Sequence, residues 1–285
     1  MPLLLYAVAS CAYAAAPSQS TRGYCDVTLN ADVTECGADP SAPRCGASCQ
    51  PDASNIPLPL YVVPKDKADA TGGRCLDGSP PGYYFSAAQH ASTSTSWVLY
   101  FKGGGWCYDE SSCASRARGE LGSSTHLAKT FAFSGPMDST TAVNPTFANF
   151  NRAVLWYCDG ASFSGDRAAP YHHAPTNQTL YFRGSRVLDL LLDELIEKHG
   201  LANATDLLIS GGSAGGLAAY LHADRIHEYL LARGAPLAKV KAAPVSGFFL
   251  LHADASGDLK YPYEIECRRR RARTRIARVD RKSVV

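Results

Sequence analysis

The sequence predicts an alternating α/β domain built around a parallel sheet. Compact apolar runs at 97–101, 153–157 and 207–209 read as strands buried on both faces. Stretches of helical periodicity separate the later runs, and glycines mark where those helices stop. Strand, helix, strand, helix, strand in succession implies parallel neighbours joined by right-handed crossovers.

The elements follow in chain order. Residues 1–16 form a short apolar run that ends in Ala14, Ala15 and Ala16, which predicts a secretory signal peptide. The run is too short to cross a bilayer, so no transmembrane segment is expected. Residues 17–60 are rich in Cys, Pro, Ala and Asp and hold no helical or strand period. They predict a loop-rich segment pinned by disulfides. A metal site at Cys36, Cys45 and Cys49 is disfavoured, because their spacing is irregular and no His accompanies them. Ten cysteines fit an oxidising compartment. Cys11 would leave with the signal, and the odd number remaining suggests a free thiol or a missing partner. The sequons at Asn177 and Asn203 suit the same compartment.

The α/β domain is expected over 61–267. The strand at 97–101 runs straight into Gly103, Gly104 and Gly105. Leu188, Leu191, Leu192 and Leu195 fall at helical spacing between Gly184 and Gly200, and Gly200 is a natural stop. A second helix is expected from Ala214 to Arg233, closed by Gly234, with the next strand over Lys239–Val245. Residues 268–285 form an Arg-rich tail without apolar periodicity and are expected to be disordered. Nine of the 28 basic residues lie there against Asp280 alone, leaving 19 basic and 25 acidic residues elsewhere. The body is therefore acidic. A nucleic-acid partner is disfavoured for it, since neutralising phosphates needs clustered Lys and Arg.

The chemistry centres on Ser210-Gly211-Gly212-Ser213-Ala214-Gly215-Gly216. A serine on a sharp strand-to-helix turn needs small flanking residues, and the turn lifts its hydroxyl clear of the backbone. The helix that follows aims its N-terminal dipole at a developing negative charge. Without its strand and helix, Gly-x-Ser-x-Gly is a weak signal. No Lys-Ser or Lys-Thr pair follows, which excludes a phosphate loop of the Walker type. Gly103-Gly104-Gly105-Trp106-Cys107, also placed after a strand, can present backbone N–H groups to an oxyanion. Solvated loops account for His172-His173. Turn hydrogen bonding explains Asp159 and Asp166 as well as a catalytic carboxylate pair does. No cofactor and no metal are expected.

Three further stretches appear in order with these: Cys75-Leu-Asp-Gly-Ser-Pro-Pro-Gly-Tyr-Tyr-Phe85, Tyr157-Cys-Asp-Gly-Ala-Ser-Phe-Ser-Gly-Asp166 and Ser246-Gly-Phe-Phe-Leu250. Together the five motifs resemble the pectin acetylesterase family, which includes the Notum carboxylesterases, over roughly 75–262. The resemblance implies an α/β-hydrolase-like, mostly parallel sheet with helices on both faces. It implies a secreted serine esterase of the extracellular space or cell wall that deacetylates polysaccharide such as pectin. It makes Ser213 the nucleophile and gives the oxyanion hole to the N–H groups of Gly105, Trp106 and Ala214. It also implies a local disulfide between Cys107 and Cys113. Gly212 departs from the family, whose plant members typically have Cys there.

The family's acid and histidine cannot be carried over. After Ser213 the histidines are His222, His227 and His252, and none stands where the family places its base. The expectation is a partial domain, incomplete at its C-terminus, with little activity as written. An inactive relative that binds acylated glycan or lipid is the alternative, and a polybasic interaction protein using the tail is a third reading.

Overall fold

The computed structural model describes residues 55–249. The signal peptide, most of the Cys-rich segment, His252 and the Arg-rich tail lie outside the described residues. In order come β1 (Leu58–Val62), α1 (Lys65–Thr71), β2 (Gly82–Ser86), β3 (Ser96–Phe101), α2 (Glu110–Arg116), β4 (Thr130–Phe131) and β5 (Asn151–Leu155). Then follow β6 (Tyr171–His173), β7 (Gln178–Leu180), α3 (Gly184–His199), β8 (Asp206–Gly212), α4 (Ala214–Leu231) and β9 (Lys239–Val245). Because β1 starts at Leu58, the sheet takes in the last residues of the segment 17–60.

Seven strands form one sheet in the order β4-β1-β2-β5-β3-β8-β9. β5, β3, β8 and β9 are mutually parallel. β2, β1 and β4 extend the sheet antiparallel from β5. β6 and β7 form a separate hairpin. The side-chain alternation of β3 divides the interior. Trp97, Leu99 and Phe101 join one core with Leu188, Leu191 and Leu195 of α3 and Ala218 and Ile226 of α4. Val98 and Tyr100 join the other, with Tyr84, Val154 and Trp156 and with Phe133 and Met137 from the irregular segment before β5. No described helix is long and apolar enough to cross a membrane.

The strand order explains which connection covers which face. From β3 the chain steps to β5 on one side; from β5 it crosses to β8 on the other side of β3 and continues to β9. Parallel crossovers are right-handed, so reversing the direction of travel sends the connection to the opposite face. The segment between β3 and β5 therefore covers one face, while α3 and α4 cover the other. The loops leaving the carboxyl ends of β3 and β8 diverge, opening a crevice where α/β sheets bind their ligands.

The expected helices form at Gly184–His199 and Ala214–Leu231, and Gly200 stops the first in a left-handed conformation, φ 77°. The strand expected at 153–157 lies at Asn151–Leu155 instead. It starts on two buried polar residues, which bond laterally, although Arg152 Nε finds no partner among the described residues. The Asn151 amide donates to Ser94 O and accepts from Ala88 N–H, and Arg152 donates to Met137 O and Ser86 Oγ. Trp156 and Tyr157 are buried but off the ladder, because the chain turns there into a disulfide between Cys158 and Cys75, Cα atoms 4.9 Å apart. The run expected at 207–209 extends to Gly212, in register with β3 as far as Phe101 opposite Gly211.

Candidate active site

β8 ends at Gly212 and α4 begins at Ala214, so Ser213 makes the whole turn between strand and helix. Its backbone has φ 56° and ψ −121°, a conformation that side chains other than glycine seldom adopt. The turn is held from outside: Ser213 N–H donates to Val245 O of β9 at 2.9 Å. The side chain is exposed and does not cap its own helix. The hydroxyl therefore does not occupy the first-turn N–H groups of α4.

Close backbone approach explains two of the glycines. A Cβ on Gly215 would lie 2.1 Å from Phe101 O, where the helix start crosses the end of β3. A Cβ on Gly103 would lie 2.2 Å from Gly212 O and 3.4 Å from Ser213 Cβ. The loop after β3 and the turn after β8 therefore touch along their backbones, at the crevice that the strand order opens.

Beyond Gly103 the loop is held by side chains that sequence reasoning did not single out. Arg116 Nη2 donates to Gly104 O at 2.9 Å and Gly105 O at 3.3 Å, and its Nε donates to Leu121 O at 3.2 Å. The guanidinium carbon lies 4.9 Å from the centre of the Tyr157 ring. Trp106 Nε1 donates to Ser162 Oγ at 2.7 Å, and that hydroxyl donates to Ala214 O at 2.9 Å. One hydroxyl thus joins the glycine loop to the first residue of α4. Ser162 also takes Nε2–H of His222 on its carbonyl at 2.9 Å. Burial lowers the affinity of His222 for a second proton, which fits a neutral ring with its hydrogen on Nε2. Cys107 and Cys113 form a disulfide, as the resemblance implied, and it anchors the loop to α2.

Asp159 and Asp166 do not form a carboxylate pair. Asp166 is exposed and pairs with Arg186. Asp159 is fully enclosed. Its Oδ1 accepts Phe163 N–H at 3.1 Å, and no partner meets Oδ2. Enclosure pushes its carboxyl up to about 6 from 3.8. His172 is exposed, and His173 is tied to Thr176 Oγ1 at 2.7 Å. Among the described residues no group of His, Cys, Asp and Glu is placed to hold a metal. Among the same residues no histidine hydrogen-bonds to Ser213.

A serine turn after a buried parallel strand, beside the glycine loop of the neighbouring strand, defines a protein of α/β-hydrolase fold. The family described as Pectinacetylesterase matches residues 52–267, and the chain belongs to that family. Pectin acetylesterase 5 of Arabidopsis thaliana is 38% identical over 203 residues, covering 71% of this chain and 44% of the relative. Pectin acetylesterase 11 of the same plant is 40% identical over 192 residues, covering 67% and 46%. The palmitoleoyl-protein carboxylesterase NOTUM of Homo sapiens is 32% identical over 182 residues, covering 63% and 35%. A solved structure of the Wnt deacylase Notum from Drosophila superposes with a TM-score of 0.59 at 29% identity, covering 70% of this chain and 55% of that one. The chain thus spans about half the length of the relatives it matches.

Proposed function

We propose that the chain belongs to a secreted serine carboxylic-ester hydrolase that removes acetyl groups from cell-wall polysaccharide such as pectin. The observation that carries this reading is the contact between the Ser213 turn and the glycine loop at the carboxyl ends of β3 and β8. Ser213 Oγ attacks the ester carbonyl and forms an acyl-enzyme, the ester C–O bond breaking and the alcohol leaving with the serine's proton. The N–H groups of Gly105, Trp106 and Ala214 receive the oxyanion, and water then releases the acid. The base that takes the serine proton, and the acid that orients it, belong outside residues 55–249, where His252 is the remaining histidine of this sequence. Higher identity to pectin acetylesterases than to the palmitoleoyl-protein carboxylesterases supports a short acyl group. The two disulfides support an oxidising, extracellular setting.

The test is active-site labelling. A fluorophosphonate should modify the 285-residue chain at Ser213 and leave Ser213→Ala untouched. Turnover of p-nitrophenyl acetate should exceed that of the octanoate ester. If His252 serves as the base, turnover should fall at least about a thousandfold in Ser213→Ala, the scale seen when a nucleophile is removed; without a base, the chain's low turnover should change little. Labelling that spares Ser213 overturns the reading. If His252 is the base, His252→Ala should lower turnover as far as Ser213→Ala does.

A further inference from the structure

We infer that Arg116 is the positioning residue that sets the oxyanion-binding peptides of the glycine loop. The inference rests on the reading of Ser213 as nucleophile. It starts from the planarity of the peptide bond. In a trans peptide the carbonyl of one residue and the N–H of the next point in opposite directions. Arg116 Nη2 binds the carbonyl oxygens of both Gly104 and Gly105. The N–H groups of Gly105 and Trp106 are therefore both turned to the side away from the guanidinium. Two successive N–H groups on one side make a concavity suited to an anion. Gly104 and Gly105 adopt φ of 144° and 64°, and glycines in such a loop have many other conformations open to them. The guanidinium selects one.

Arg116 is equipped for this task. It closes α2, whose Cys113 is bonded to Cys107 just past the loop, so helix and loop move together. Nε is spent on Leu121 O, the Tyr157 ring lies beneath, and the Asp159 carboxylate attracts the cation from within the fold. The fork geometry of arginine allows one side chain to hold three backbone carbonyls at once, which a lysine ammonium cannot reproduce in the same directions. A cation bound to a carbonyl also polarises its peptide, which strengthens the N–H on the far side as a donor. Arg116 touches none of the reacting atoms. It acts through the peptides it holds.

The experiment measures saturation kinetics of Ser213 phosphonylation in the full chain, because the phosphoryl oxygen takes the oxyanion's place. Arg116→Gln should lower the limiting rate constant by on the order of a hundredfold, as loss of an oxyanion donor does, and leave the half-saturating concentration within about threefold. Arg116→Lys should fall between the two. Arg225→Gln breaks an arginine pair with Asp189 between α3 and α4 and serves as the stability control. It should label at the wild-type rate. Wild-type rates in both Arg116 variants overturn the inference and leave the nucleophile reading standing. So does a loss that follows melting temperature equally in the Arg116 and Arg225 variants. Absence of labelling in the wild-type chain removes the nucleophile reading, and this inference with it.

Discussion

Asp159 is a carboxyl enclosed on every side, and that enclosure ties the stability of the fold to pH. Its value in the folded chain, about 6, lies above the 3.8 of the free side chain, so the folded state holds the proton longer. The contribution is complete below about pH 4 and is lost as the pH rises to about 6; above that it is absent. The shift corresponds to about 3 kcal/mol across that window. Asp159→Asn cannot ionise and should escape this loss. Denaturant midpoints of wild type and variant, measured from pH 4 to 7, should separate progressively in favour of the variant. Parallel profiles would show that Asp159 titrates as an ordinary surface acid. None of this was visible in the sequence, where Asp159 precedes a glycine and reads as a turn residue. The Ser213 turn was visible, because it demands small neighbours. Arg116 was not: it is one arginine on a short polar helix, and its partners Gly104 and Gly105 are backbone carbonyls, which have no sequence signature.

Among the elements, those that position the site were the most legible. β3, β8, α3 and α4 are long or uniformly apolar, so their periods survive in one sequence. β5 was misplaced by two residues because apolarity reports burial, and Trp156 and Tyr157 are buried beyond the end of the paired register. Asn151 and Arg152, which do pair, look like loop residues until their lateral hydrogen bonds are known. The contact between the β3 loop and the β8 turn gives the next prediction. In Gly103→Ala the new methyl would meet the Gly212 carbonyl, a backbone atom that cannot swing aside. Forced apart, loop and turn should lose about 1–3 kcal/mol of stability, the usual cost of overpacking. Fluorophosphonate labelling of Ser213 should fall with it. Unchanged melting and unchanged labelling would mean that the two backbones are not in contact.

At the scale of the molecule, the two disulfides among the described residues divide the work. Cys75–Cys158 closes a sequence separation of 83 and links the approach to β2 with the end of β5. Loop-closure entropy assigns it about 4–5 kcal/mol, against about 2 kcal/mol for Cys107–Cys113, whose separation is 6. Replacing both Cys75 and Cys158 by Ala should therefore lower the denaturant midpoint far more than replacing Cys107 and Cys113. The latter pair should instead slow labelling of Ser213. Equal stability losses in the two double variants would contradict this division. The topology was legible as alternation, but the reversal of direction at β5 was not. It depends on which strand lies beside which, and a sequence records only the order of strands along the chain.

The small bridge also has a meaning in time. Before its sulfurs are oxidised, the loop after β3 depends on hydrogen bonds alone to keep its N–H groups together. On the proposed reading, a newly made chain in reducing surroundings would carry the serine turn without a settled place for the oxyanion. On the proposed reading, ester cleavage would begin only once the chain has reached an oxidising compartment, and the cell's own acyl esters would be spared until then.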